Sequence, residues 1–130
     1  MMKANELVLC FPMPPSANKL YKNIGRGRAR TPEYDSWLKA RLWDLRVINH
    51  ISRMRGAVEL HYEFLLGSSF RGDICNRIKP TEDALVKAGI IEDDNHRIVV
   101  GGSFKVSYQK KLKESYVQVT IKRLQEEMEL

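Results

Sequence analysis

The chain lacks the features that would place it in a membrane or a secretory compartment. No apolar run approaches the ~20 residues that cross a bilayer, and Met1 to Asn5 has neither the charged nor the long apolar region of a signal peptide. The two cysteines, Cys10 and Cys75, form no spaced pair, which argues against a zinc site and against a disulfide framework. A reducing cytoplasm is therefore the expected compartment. Internal repeats and low-complexity segments are also missing. What is present is 130 residues, 43% of them hydrophobic, enough for one small domain with a modest core. The formal charge of +6 and a pI near 9.4 suit an acidic partner such as nucleic acid, although net charge alone does not require one.

Along the chain, Glu6 to Phe11 reads as a short buried strand, and Pro12, Pro14 and Pro15 impose an extended exit. Ser16 to Arg30 carries Lys19, Lys22, Arg26, Arg28 and Arg30 with no acidic residue among them. Gly25 and Gly27 predict a mobile loop there. A solvated basic loop is the plain alternative; the interleaved Tyr21 and the basic chain favour contact with nucleic acid. Thr31-Pro32 is a helix start, a hydroxyl cap followed by proline at the first helical position. The helix is expected to reach about Ile51, with Tyr34, Trp37, Leu38, Arg41, Leu42, Leu45 and Ile48 on its packing stripe. Trp37 and Trp43 read as packing or interface residues, and His50 as a solvated side chain near the helix end. Val58 to Phe64 alternates cleanly as a strand. Short strands are predicted over Arg97 to Val100, Phe104 to Tyr108 and Ser115 to Lys122, with a turn at Gly101-Gly102 and a polar tail from Leu124. This order gives an α/β or α+β domain, a mixed β-sheet packed by two main helices.

The stretch Arg71 to Arg97, R-G-D-I-C-N-R-I-K-P-T-E-D-A-L-V-K-A-G-I-I-E-D-D-N-H-R, carries the candidate chemistry. Asp73 is expected near a strand end, and in extended chain its spacing puts it on one face with Cys75. Cys75 or Asn76 then caps a helix over roughly Arg77 to Ala88. Pro80 falls in its first turn, where a missing N–H costs little, and Gly89 follows its end. Asp73 and Asp94, converging from different elements, make a hard-oxygen site for Mg²⁺ or Mn²⁺. Lys79 at the helix start suits a phosphate or a leaving oxygen. The structural alternative ranks first on spacing alone: Asp73 as a cap, Glu92-Asp93-Asp94 as a solvated turn, and Lys79-Asp83 as an exposed i,i+4 pair.

Two motifs change that ranking. P-P-S-A-N-K-L-Y (Pro14 to Tyr21), followed by G-R-G-R, resembles the P-P-S-x-N-x-x-Y opening of the RusA-type Holliday junction resolvases, which are bacterial and prophage endonucleases. The central stretch resembles the same family's D-x-D-N-x-x-K-x-x-x-D-A-L…G…D-D. The resemblance covers most of the chain. It implies a homodimer that cleaves four-way DNA junctions by paired, Mg²⁺-dependent nicks in recombination and repair. By position, Asp73 and Asp94 match metal-binding acids, with Asp93 beside the latter, and Lys79 matches the catalytic lysine. Asn76 and Asp83 match supporting positions. Asn18, Lys19, Lys22, Arg26, Arg28, Arg30 and Arg71 are the residues expected on DNA. Cys75 departs from the pattern, standing where the family has a second Asp. A thiol is a poor ligand for a hard cation, so the resemblance leaves open an impaired nuclease and a junction-binding protein without turnover. A basic structural protein that merely keeps the fold is a third reading.

Overall fold

A computed structural model describes residues 5–51 and 53–124. The side chain of His50 and the tail beyond Leu124 lie outside what it describes. The elements run β1 (Glu6–Pro12), β2 (Tyr21–Ile24), β3 (Gly27–Arg30), α1 (Pro32–Ile51), β4 (Val58–Leu66), α2 (Ile78–Lys87), β5 (Val99–Tyr108) and β6 (Tyr116–Arg123). Four strands form one mixed sheet in the order β1-β6-β4-β5, in which β6 is antiparallel to β1 and β4 while β4 and β5 are parallel. The result is a small α+β domain.

Strand β4 sits inside the sheet, and its alternation decides the layers. Val58, Leu60, Tyr62, Phe64 and Leu66 are buried, while Glu59, His61 and Glu63 point to the other face. Leu85 of α2, Leu45 of α1, and Ile90 and Ile91 after α2 join these residues in one core. Tyr34 and Leu38 of α1 form a second cluster with Leu20 and Ala84, which ties the N-terminal segment to α2. Each of these large side chains contributes about 1.5–3 kcal/mol by leaving water. Helix α1 begins as its sequence indicates: Thr31 Oγ1 accepts the Tyr34 N–H at 3.3 Å, and Pro32 is the first helical residue. Trp37 packs edge-on against Phe11 and donates its indole N–H to the Pro12 carbonyl at 3.0 Å. Trp43 is 66% exposed under the Arg46 guanidinium instead of packing.

Three sequence expectations change. The basic segment before α1 is a β-hairpin, β2 and β3, not a mobile loop. Gly25, with φ of 56°, and Arg26 make its two-residue connection, the mirror-image turn that matches strand twist. Gly101-Gly102 is no turn. Strand β5 runs straight through it, since Gly102 passes so close to the Leu60 carbonyl that any side chain there would collide. The expected strand at Arg97 starts only at Val99, because Ile98 and Val99 both donate their N–H groups to the Asn95 carbonyl in a tight turn. The parallel β4–β5 pairing carries a register shift beside it, between Val58 and Glu59.

Candidate functional site

Helix α2 organises the site. Pro80, Ala84 and Leu85 are buried along its inner face, which leaves Lys79 and Asp83 on the outside at i,i+4 spacing. Its C-terminus closes as a Schellman motif: Gly89, at φ of 77°, donates to the Val86 carbonyl and Ile90 to the Leu85 carbonyl, both at 2.9 Å. That turn sends the chain back past the start of the helix. It brings Asp94 to Lys79, whose ammonium lies 2.9 Å from Asp94 Oδ2 and 3.2 Å from Asp83 Oδ1. The hydrogen bond from Lys79 is the main cause holding the Asp94 carboxyl below its ordinary value. Conversely, the bond to Asp94 is the first cause raising the Lys79 ammonium above its own.

Two tyrosines support this trio from the core side. Tyr34 donates its hydroxyl to Asp83 Oδ2 at 3.2 Å, and Tyr62 donates to Glu82 Oε2 at 3.3 Å. Burial, and then the neighbouring carboxylate, pushes both phenols up. Burial also raises the Glu82 carboxyl, and the charge of Asp94 adds to the shift. Glu82 is a site residue that the sequence reading passed over. Its signal was available: it is the acid preceding Asp83, on the side of α2 that turns toward the sheet.

Asp73 lies elsewhere. It follows the end of β4 by several residues and is exposed, between bends at Gly72 and Ile74. Asn76 Nδ2 approaches its Oδ2 at 3.5 Å. The chain from Ile74 onward is already helical, with Ile74 at φ −84° and ψ −32° and a 3₁₀ turn over Cys75–Arg77. Asp73 and Cys75 are therefore not held on one face by extended chain, and Cys75 is exposed. Neither Cys75 nor Asn76 caps α2; Arg77 occupies the cap position without a side-chain bond. Arg77 instead ties the loop down. Its guanidinium donates to the Pro14 carbonyl at 2.7 Å and the Asp73 carbonyl at 3.3 Å and lies over the Phe70 ring. The proline-rich N-terminal motif and the Asp73 loop are joined through that one side chain.

The remaining predicted residues fall into two groups. Asp93 serves its own turn, accepting the Asp94 N–H at 2.7 Å and the Asn95 amide at 3.0 Å. Asn18 and Lys19 form a 3₁₀ turn capped by Ser16, whose hydroxyl accepts the Asn18 N–H at 3.3 Å. Lys22, Arg26 and Arg28 are exposed on the hairpin, and the Arg28 guanidinium lies 4.8 Å from the Tyr21 ring centre. Arg30 is partly neutralised by Asp35 at 3.0 Å. Arg71 is exposed and bonds only its neighbour's carbonyl at Phe70. A cleft of about 340 Å³ is lined by Tyr21 and Arg28 of the hairpin together with Lys79, Asp83 and Lys87 of α2. A second, of about 480 Å³, is lined by Arg71, Asp73 and Tyr108. The hairpin thus shares one groove with Lys79 and Asp83, while Asp73 lines a different cleft.

The donor set bears on the implied cation. Asp73 and Asp94 are hard-oxygen ligands of the kind Mg²⁺ takes, but Cys75 is not, and Lys79 now sits on Asp94. Among the described residues, no three His, Cys, Asp or Glu side chains converge into a group that could hold a metal ion. Asp94 is engaged by Lys79 and Asp73 by Asn76, so the described residues do not assemble the two acids into one ligand set for a hard cation.

No protein-family model matches the chain, and no curated protein matches it. Among solved structures it is similar to a crystal structure of the hydrogenase maturation protein HypE, at 13% identity and a TM-score of 0.39, over 95% of this chain and 33% of that one. E. coli HypE gives 12% identity and the same TM-score over 92% and 32%. A HypE–HypF complex gives 14% and 0.39 over 89% and 31%. The chain spans about a third of the length of these proteins. A likeness this slight carries no argument about the site. Among the described residues no helix is long and apolar enough to cross a membrane.

Proposed function

We propose that the chain is a RusA-type endonuclease of four-way DNA junctions, dependent on Mg²⁺ or Mn²⁺ and acting as a homodimer, with a metal site weakened by Cys75. The observation that carries this reading is the shared groove. The two motif segments, far apart in sequence, meet there as Tyr21 and Arg28 of the basic hairpin facing the Lys79–Asp83 pair of α2, with Asp94 on the same lysine. A solvated basic surface with an isolated ion pair would not require that juxtaposition.

In this reading Arg26, Arg28 and Lys22 hold the phosphate backbone, and Tyr21 stiffens Arg28 beneath it. By their motif positions Asp73 and Asp94 are the acids that would hold the cation, although each has its own partner, Asn76 and Lys79; such a cation would polarise the scissile phosphate and acidify a water. Lys79 presents its ammonium to the phosphate oxygens, fully charged at neutral pH because Asp94 and Asp83 hold its proton. Tyr34 fixes Asp83, so the lysine is aimed from a buried support. Arg77 fixes the Asp73 backbone relative to the N-terminal motif.

The test uses Cys75→Asp chain with Asp73→Asn or Asp94→Asn added. Nicking of a synthetic junction should fall on the order of 10²-fold or more. Junction affinity should hold or rise, because a carboxylate that repels phosphate is gone. Retained nicking with lost affinity would make these acids structural. A second reading, a junction-binding dimer without turnover, is favoured by Cys75 itself. It predicts salt-sensitive junction binding and no nicking by the chain as it stands.

A further inference from the structure

Strand β5 forms one edge of the main sheet, and no strand among the described residues pairs with its outer side. It is ten residues long, contains no proline, and carries a single charge, Lys105. Edges of this kind are templates for another chain and are usually blunted. This one also displays apolar side chains at four-residue intervals: Val100 is 48% exposed, Phe104 51% and Tyr108 78%. Phe104 and Tyr108 lie in register with Tyr62 and Leu66, whose side chains point into the core. Their exposure marks where α2 stops covering the sheet. The gap is a cleft of about 230 Å³ between α2 and β5, floored by Leu60 and widened by Gly102.

We infer that this edge is the dimer surface: two copies of the chain pair β5 to β5, antiparallel, about a two-fold axis at Phe104. The spacing of the three exposed apolar residues, 100, 104 and 108, is symmetric about Phe104. In that register Phe104 faces its own counterpart and Val100 faces Tyr108 of the second copy. Gly102 faces Val106, so a valine meets the open position left by each glycine, twice by symmetry. Lys105 faces Ser103, not another lysine. No other register maps the three exposed residues onto one another. An axis at Ser103 leaves Tyr108 opposite Ile98, outside the strand, and one at Lys105 sets the two lysines face to face. The pairing makes one eight-stranded sheet from two four-stranded ones. It buries Tyr108, which lines the same cleft as Asp73. The inference rests on the proposed function only for its homodimer.

The experiment is site-directed crosslinking in chain with Cys10→Ser and Cys75→Ser, checked for folding by circular dichroism. With the axis at Phe104, Phe104→Cys should form a covalent dimer under mild oxidation. Ser103→Cys and Lys105→Cys alone should crosslink at least about tenfold more slowly, since identical residues there lie on diagonals ~7–8 Å apart, beyond easy disulfide reach. Combined in one chain, Ser103→Cys and Lys105→Cys should crosslink readily. Light scattering on the unmodified chain should report a dimer, and Phe104→Lys should report a monomer with a native circular dichroism spectrum and a melting temperature independent of protein concentration. A dimer that Phe104→Cys does not lock overturns this surface while leaving the homodimer standing. A monomer at micromolar concentration overturns both, and junction nicking by Cys75→Asp chain reports on the nuclease reading separately.

Discussion

Replacing Lys79 with alanine separates a catalytic lysine from a structural one. Lys79 makes two ion pairs, to Asp94 and Asp83, but its side chain is 57% exposed, so solvent screens both. Each is worth roughly 0.2–1 kcal/mol, and the variant should lose about 1 kcal/mol, or about 4 °C in melting temperature for a domain of this size. The pH dependence carries a sign. Asp94 is depressed in the folded chain, so its share of the stability is present above the unfolded carboxyl value and is lost as pH falls through the folded one. Lys79 is raised, so its share is present below the unfolded lysine value and is lost as pH rises through the folded one. The gap between native chain and Lys79→Ala should therefore be constant from about pH 4 to about pH 10 and close on either side. Nicking measured in Cys75→Asp background should fall on the order of 10²–10³-fold, the usual cost of removing one preorganised donor from a developing charge. Junction affinity should change little. The reasoning is refuted if affinity falls more than rate, which would make Lys79 an ordinary phosphate contact. It is equally refuted by a stability loss above roughly 3 kcal/mol, which would make the lysine a structural element.

Other perturbations test neighbouring parts of the account. Neutralising Arg26 and Arg28 together should weaken junction binding and reduce the slope of log affinity against log salt by about two. Arg30→Ala should change that slope less, because Asp35 already compensates its charge. Gly102→Ala should destabilise the chain by about 1–3 kcal/mol in a denaturant titration, since the added methyl meets the Leu60 carbonyl and the two strands must part. Glu82→Gln keeps an acceptor for Tyr62 and removes a carboxylate that burial penalises. A raised carboxyl takes up protons on folding, so native stability drops as pH rises through the window between its unfolded and folded values. The Gln variant should lack that drop and be the more stable chain at pH 7 by up to about 1 kcal/mol; a less stable variant at pH 7 contradicts this.

Local chemistry made much of the fold legible. Thr31-Pro32 and Gly89 mark helix ends because capping depends on residues within one turn, and both behave as their types demand. The alternation of Val58 to Phe64 identified the central strand for the same reason. The misreadings came from glycine, whose local preferences admit opposite uses. Gly25 is locally compatible with a mobile loop, yet with Arg26 it makes the turn that orders a hairpin. Gly101-Gly102 is locally a turn signal, yet Gly102 is required by the close approach of β4, a non-local contact that no window of sequence reveals. At the site, the i,i+4 pairing of Lys79 with Asp83 was readable from spacing. The approach of Asp94 depended on the path of the return loop, and the anchoring of the Asp73 loop by Arg77 on a carbonyl 63 residues earlier lay beyond sequence reasoning. Treating Asp73 and Cys75 as extended failed because the helical turn starts at Ile74, one residue sooner than the motif suggests.

The proposed function makes this scaffold a metal-dependent junction nuclease with Cys75 in place of one carboxylate. Its most direct measurement is the single-turnover rate of nicking of a synthetic four-way junction in Mg²⁺ and in Mn²⁺, for the native chain and for Cys75→Asp. The account predicts slow or undetectable nicking by the native chain and a rate at least about tenfold higher for Cys75→Asp, with paired cuts at symmetrical positions across the junction. A Cys75→Asp chain that is folded, binds the junction and leaves it uncut in both metals would contradict it.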